Sequence, residues 1–217
     1  GFAFTILTIC WIIGLVIFSS RFIYGFRRIR KILKSGTALC SKKYSILEEQ
    51  QRNIRVYSNA DIAVPFTFGI FHPVVIVPKQ MASWSAHRLK PILIHELIHI
   101  RRKDYLTQTL SKIICCFFWP LPFTWLALRN QRLEQEKACD EAVVLHGSNP
   151  RIYAQQLLNM ARSITGGVLF TGLFMVNERT RMLEKRIKNI FKKRGTKMEK
   201  RHWFFVVLAY VIVLSLL

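Results

Sequence analysis

The sequence predicts an α+β membrane protein, a mainly helical domain with a small β-sheet held between two transmembrane helices. Three observations predict it. The chain is 51% hydrophobic yet carries a formal net charge of +21. Uncharged apolar runs stand at both of its ends, each with a basic flank facing inward. The segment between them alternates in strand fashion and then takes on helical periodicity. A soluble nucleic-acid binder reaches such a charge but rarely such an apolar composition. A membrane protein with a basic cytosolic face accounts for both.

The first apolar run, GFAFTILTICWIIGLVIFSS, is long enough to cross a bilayer core. Its basic residues follow it rather than precede it, so it reads as a span and not as a signal peptide. With no initiator Met and apolar residues at its end, the chain reads as a piece of a longer protein. The expected organisation is a transmembrane helix over 1–22, a basic cytoplasmic connector over 23–50 and a peptidase domain over 51–178. A basic juxtamembrane segment over 179–202 and the start of a second span over 203–217 complete it. Two spans with basic flanks facing each other place the intervening domain in the cytoplasm and make the protein multi-pass in the cell membrane. The flanks are expected to meet water and anionic lipid headgroups, not nucleic acid. The five cysteines are scattered, with no C-x-x-C pair, which fits a reducing compartment.

Between the spans, NIRVYSN alternates as a strand. IAVPFTFGIFHPVVIVP gives two more short strands, Ile62 to Phe68 and Val74 to Val77, joined around Gly69. The helix carrying HELIH follows, with Pro91 either in its first turn or kinking it. KIICCFFWPLPFTWLAL is apolar but broken by Pro120 and Pro122. It is either a buried helix pair with a bend or a segment dipping into the membrane, and a full extra crossing is disfavoured because the next motif must return to the same site. RNQRLEQEKACDEAVVLHG and NPRIYAQQLLNMARSI read as two further amphipathic helices. TGGVLFTG, beginning at Thr165, reads as a loop and a candidate self-cleavage or gating segment.

HELIH carries the chemistry. Residues four apart on a helix lie about 40° apart around its axis, so His95 and His99 project from one face as a zinc grip. Glu96, beside the first ligand, is placed to take a proton from an attacking water and hand it to the leaving amine. Three polar residues inside the apolar run from Ile92 to Ile100 are costly without partners. The third ligand is expected in EQEKACDEA. Glu136 and Asp140 share a helix face, which suits a gluzincin-like site. Glu136 binds the zinc, one Zn2+ per chain, and Asp140 accepts the spare N–H of a ligand histidine. Glu134 and Glu141 read as surface partners of Arg132 and Lys137. His72, His87, His146 and His202 lack ligand spacing. Asp104 either pairs with the basic cluster Arg101, Arg102 and Lys103 or supports a ligand. Tyr153 and His146 are the candidate oxyanion donors.

With both halves in place, the chain resembles the BlaR/MecR-type membrane zinc peptidases, the antirepressor family of bacterial β-lactam signalling. The resemblance lies in HPVVIVPKQ, LIHELIHIRRKDYL, FFWPLPFTWLAL, EQEKACDEAVV, YAQQLLNMA and the basic stretch before the last span. It implies zinc ligands His95, His99 and Glu136, catalytic Glu96 and a cytoplasmic gluzincin domain flanked by membrane helices. In the best-known members it implies a penicillin-binding sensor beyond the last span. There the peptidase cleaves itself, and a BlaI/MecI-type repressor is lost. The expected substrate is therefore a protein or peptide, this chain itself or such a repressor. Its extended segment is expected to add as a strand at Val74, Val75, Ile76 and Val77. The rival class is a non-catalytic membrane signalling or scaffold protein with a structural zinc.

Overall fold

The computed structural model describes residues 1–39, 54–165 and 173–191. The expected second span over 203–217, most of the Thr165 to Thr171 loop and much of the connector lie outside them. The described residues are mainly helical, with a small mixed sheet. Helix α1, Phe2–Ser35, is long and apolar enough to cross a membrane. It runs through the expected 22/23 boundary without a break, because the Arg, Lys, Ile and Leu that follow sustain a helix. Its far end is tied to the sheet: the Asn59 side-chain amide donates to the Ile32 carbonyl at 2.9 Å and to the Ser35 hydroxyl at 3.0 Å.

The strands are β1 (Thr37–Ala38), β2 (Arg55–Asn59), β3 (Phe66–Phe68) and β4 (Val74–Pro78), in the order β1-β2-β4-β3. The pair β2–β4 is parallel, and β1–β2 and β3–β4 are antiparallel. Gly69, at φ +102, makes the turn out of β3, where a Cβ would stand 2.6 Å from the His72 carbonyl oxygen. Strand β4 is interior, and Val75, Ile76 and Val77 are fully buried. The substrate edge expected at Val74, Val75, Ile76 and Val77 is thereby corrected. Strand β4 is paired with β2 along its length and with β3 over Val74 to Ile76, and Val77 is fully buried, so β4 offers no edge for a further strand. Among the described residues, β1 and β3 are the two edge strands, and β3 is the edge that reaches Glu96.

Helix α2, Ala86–Arg101, crosses the sheet and carries HELIH. Pro91 falls inside it after the first turn, and the helix continues. The carbonyl that loses its donor belongs to His87, on the exposed side. One face of α2 packs Leu89, Leu93, Leu97 and Ile100 against Val56, Val75 and Val77 of the sheet. The other packs Ile94 and Ile98 against Cys139, Val143, Tyr153, Leu157 and Ile190. A helix buried on both sides must be apolar nearly all round, which accounts for the sequence around the motif. The remaining helices are α3 (Asp104–Phe117), α4 (Pro122–Leu145), α5 (Pro150–Thr165) and α6 (Leu173–Phe191). Helix α6 crosses the expected 178/179 boundary and packs against α4 and α5, so residues 179–191 belong to the folded domain.

Candidate active site

Three donors from two helices meet at one point. The His95 and His99 Nε2 atoms lie 3.1 Å apart. Glu136 on α4 sets Oε2 3.5 Å from His95 Nε2 and Oε1 3.5 Å from His99 Nε2. Helical spacing supplies the two histidines. The packing of α4 on α2, through Cys139 and Val143 against Ile94 and Ile98, supplies the glutamate.

Each imidazole is held from behind. His99 Nδ1 lies 2.8 Å from Asp104 Oδ2. The chain reverses there because Lys103 takes a left-handed conformation, φ 55, between α2 and α3. His95 Nδ1 lies 2.9 Å from the Tyr153 hydroxyl and 3.3 Å from Asp140 Oδ1. The Tyr153 hydroxyl donates to Asp140 Oδ1 at 2.7 Å. Asp140 is fully buried and Arg186 of α6 neutralises it. Its Nε donates to Oδ2 and its Nη2 to Oδ1, both at 2.8 Å. The Arg186 Nη1 also lies 2.7 Å from Glu136 Oε2. Next to His95 on α2, Glu96 is buried and its Oε2 accepts from the Thr67 hydroxyl of β3 at 2.7 Å.

The electrostatics follow from this packing. Burial pulls the His95 imidazole down, but the Asp140 and Glu136 carboxylates outweigh it and raise it from 6.5 to about 9. Burial pushes Glu136 up, and His95 with Arg186 reverse the direction and bring it to about 2. Asp140 is likewise held well below the carboxylate range against its burial, by Arg186 and then His95. The Tyr153 hydroxyl is pushed well up by burial and by Asp140, so it stays a donor.

A sequence model described as BlaR1 peptidase M56 matches residues 3–190. The chain belongs to that family. It is 29% identical to the regulatory protein BlaR1 of Bacillus licheniformis over 141 residues, 62% of this chain and 24% of that protein. It is 21% identical to the methicillin resistance mecR1 proteins of Staphylococcus aureus and Staphylococcus epidermidis over 141 residues, with the same coverage. The chain thus spans about a quarter of the length of these relatives.

Membership in the M56 peptidases makes this a metallopeptidase-type domain, and the donor set can be tested against zinc. Bonds of about 2.0–2.1 Å to a tetrahedral ion put neighbouring donors about 3.3 Å apart. The separations of 3.1, 3.5 and 3.5 Å match this within a few tenths. With His99 Nδ1 turned to Asp104 and His95 Nδ1 to Tyr153 and Asp140, both Nε2 atoms face the Glu136 carboxylate, where a cation would take the place of the proton that His95 otherwise carries. His99, Asp104 and Cys139 form a second group of potential donors in this M56 domain. There the His99 Nδ1 and Asp104 Oδ2 atoms already face each other at hydrogen-bond distance, 2.8 Å. Cys139 serves instead as a weak donor, 3.8 Å from Asp104 Oδ2.

The expected ligands are brought together, and Asp140 stands behind His95. Asp104 stands behind His99 as well as 3.3 Å from the Arg102 Nε. Tyr153 faces the rear of His95 and so is corrected from oxyanion donor to imidazole support. His146 is exposed, its Nδ1 2.7 Å from the Ala142 carbonyl, and has no part in the site. Two residues escaped sequence reasoning. Thr67 carries no signal in its strand. Arg186 does carry one, because it shares the apolar stripe of Leu183 and Ile190 at helical spacing yet sits in a run that reads as solvated charge.

Proposed function

We propose that this chain is the peptidase part of a membrane-anchored bacterial signalling protein. It is a gluzincin-type zinc metalloendopeptidase that cleaves itself, a BlaI/MecI-type repressor, or both. The observation that carries the reading is the His95, His99 and Glu136 triangle with buried Glu96 beside it. In its names, the family and its relatives supply the β-lactam context; α1 supplies the anchor, with the catalytic domain on the cytoplasmic side of a multi-pass protein. Anionic lipid at the basic flanks completes the assignment of partners.

His95, His99 and Glu136 would hold a zinc ion, for which their donor set is suited. When bound, zinc would supply Lewis acidity for activating a water and a scissile carbonyl. Glu96 takes the water's proton and returns it to the leaving amine. The Thr67 hydroxyl holds one Glu96 oxygen and leaves the other for the proton. The substrate lies along the free edge of β3, whose Thr67 already touches Glu96, so strand addition brings a backbone carbonyl toward the metal.

The test is Glu96→Gln in the full chain. Cleavage of a supplied repressor and of the chain itself is expected to fall about 10²–10⁴-fold, as for loss of a general base. Zinc content measured by atomic absorption stays at one per chain. Unchanged cleavage with zinc retained overturns the mechanism. A fully coordinated ion with no turnover in the unaltered chain favours a structural zinc.

A further inference from the structure

The end of α3 and the start of α4 form a hairpin that the metal site does not use. From Ile113 to Leu128 it holds no charged residue, and Lys112 and Arg129 flank it. Its outer side is exposed and apolar: Ile113, Phe117, Leu121, Phe123 and Leu126, with Phe123 76% accessible. A patch of this kind on a domain that is otherwise well packed marks a contact surface.

What covers it follows from where the hairpin sits. It is docked on the apolar half of α1. Trp11 meets Phe117 edge to face at 5.1 Å, and Phe18 meets Trp119 at 5.7 Å and Trp125 at 5.2 Å. Gly14 is the buried residue of α1, and the Trp119 indole fills the space its missing Cβ leaves. Trp11 precedes Arg21, the first charge of α1, by ten residues, or about 15 Å of helix. That is about half the thickness of a bilayer core.

The backbone accounting points the same way. The Trp11 indole donates to the Phe117 carbonyl at 3.2 Å and the Trp125 indole to the Trp119 carbonyl at 3.0 Å. The Trp119 indole donates to the Trp11 carbonyl at 3.2 Å, and the Thr124 hydroxyl to the Leu121 carbonyl at 2.7 Å. In water the carbonyls of Phe117, Trp119 and Leu121, at the helix end and the turn, need no such partners. In hydrocarbon they must be satisfied within the protein, and irregular backbone survives there only when they are.

We propose that this hairpin is a re-entrant membrane element, lying beside α1 to about mid-depth with its outer aromatic and aliphatic face against lipid acyl chains. Lys112, Arg129 and Arg132 then form a basic collar at the headgroups. The hairpin rests on the reading of α1 as a membrane span. Its two arms continue into the helices that carry Asp104 and Glu136, so the bilayer grips the elements of the metal site directly.

The test places p-benzoylphenylalanine, a photocrosslinker, at Phe123, Ile9 or Leu145 in turn, in the full chain reconstituted into phosphatidylcholine–phosphatidylglycerol vesicles. All three side chains are exposed, and Leu145 lies at the opposite end of α4. Lipid-mass adducts are expected at Ile9 and Phe123 and none at Leu145. An adduct at Ile9 without one at Phe123 overturns the hairpin while leaving the span. No adduct at Ile9 overturns the span, and the hairpin with it. Crosslinking of Phe123 to a second chain, or an equal lipid adduct at Leu145, also overturns the proposal.

Discussion

At the residue scale, the imidazoles of His95 and His99, the proposed ligands, each have one nitrogen facing Glu136 and the other fixed by a partner. For His95 that partner is a hydroxyl shared with a buried carboxylate. Tyr153→Phe keeps the shape of the ring and leaves Asp140 paired with Arg186, so the fold is expected to hold. Loss of such support typically weakens metal binding about 10–100-fold, a change read by chelator competition. The direction of the His95 shift sets a second expectation. Raised from 6.5 to about 9, its metal-free imidazole is charged at neutral pH. In the metal-free protein this stabilises the fold fully below 6.5, and the stabilisation disappears as pH rises through about 9. Zinc binding at pH 7.5 is therefore expected to expel the His95 proton. Titration calorimetry in buffers of different ionisation enthalpy reads that release. The His95 share should vanish above pH 9; a release independent of pH refutes it.

At the scale of elements, two contacts tie the site to the parts around it. Thr67 links the sheet edge to Glu96. Thr67→Val preserves shape, so cleavage is expected to fall while zinc content is unchanged. Arg186 links α6 to both Glu136 and Asp140. Arg186→Met leaves a fully buried carboxylate without its cation, which costs about 3–5 kcal/mol. Thermal unfolding in detergent should show it, with Arg186→Lys recovering part of the loss. HELIH was legible from spacing alone, and Glu136 and Asp140 from their shared face. The active-site strand was misread because sequence order does not disclose pairing. β4 precedes HELIH in the chain, but β3, from further back, folds over to take the outer position. Arg186 was hidden by its company, since charge composition describes a run and not the face each residue presents.

At the scale of the molecule, α2 is the shared wall of two apolar clusters, and the proposed metal position lies where α2 meets α4. A metal held there would join α2 and α4, which otherwise meet through side-chain packing and the Arg186 bridge to Glu136 and Asp140. Chelation is expected to lower the unfolding temperature, and zinc at about a hundred times its dissociation constant to restore about 2.7 kcal/mol. Glu96→Gln should show the same zinc response, because it changes the chemistry and not the donors. A melting curve indifferent to zinc argues against this metal position.

The sequence by itself determined the helix that carries the site, two of its donors, the third donor's segment and the apolar start that suits a bilayer. Those features are local, written in spacings of a few residues and in runs of one polarity. Only the tertiary structure decided which edge strand lies beside Glu96 and that Tyr153 stands behind His95. It also turned a basic residue of α6 inward to neutralise Asp140, and it seated a Pro-broken apolar run beside α1. Each of these depends on contacts between residues far apart in the chain. Burial fixes them by requiring every buried charge and loose carbonyl to find a partner, and no spacing rule names that partner in advance.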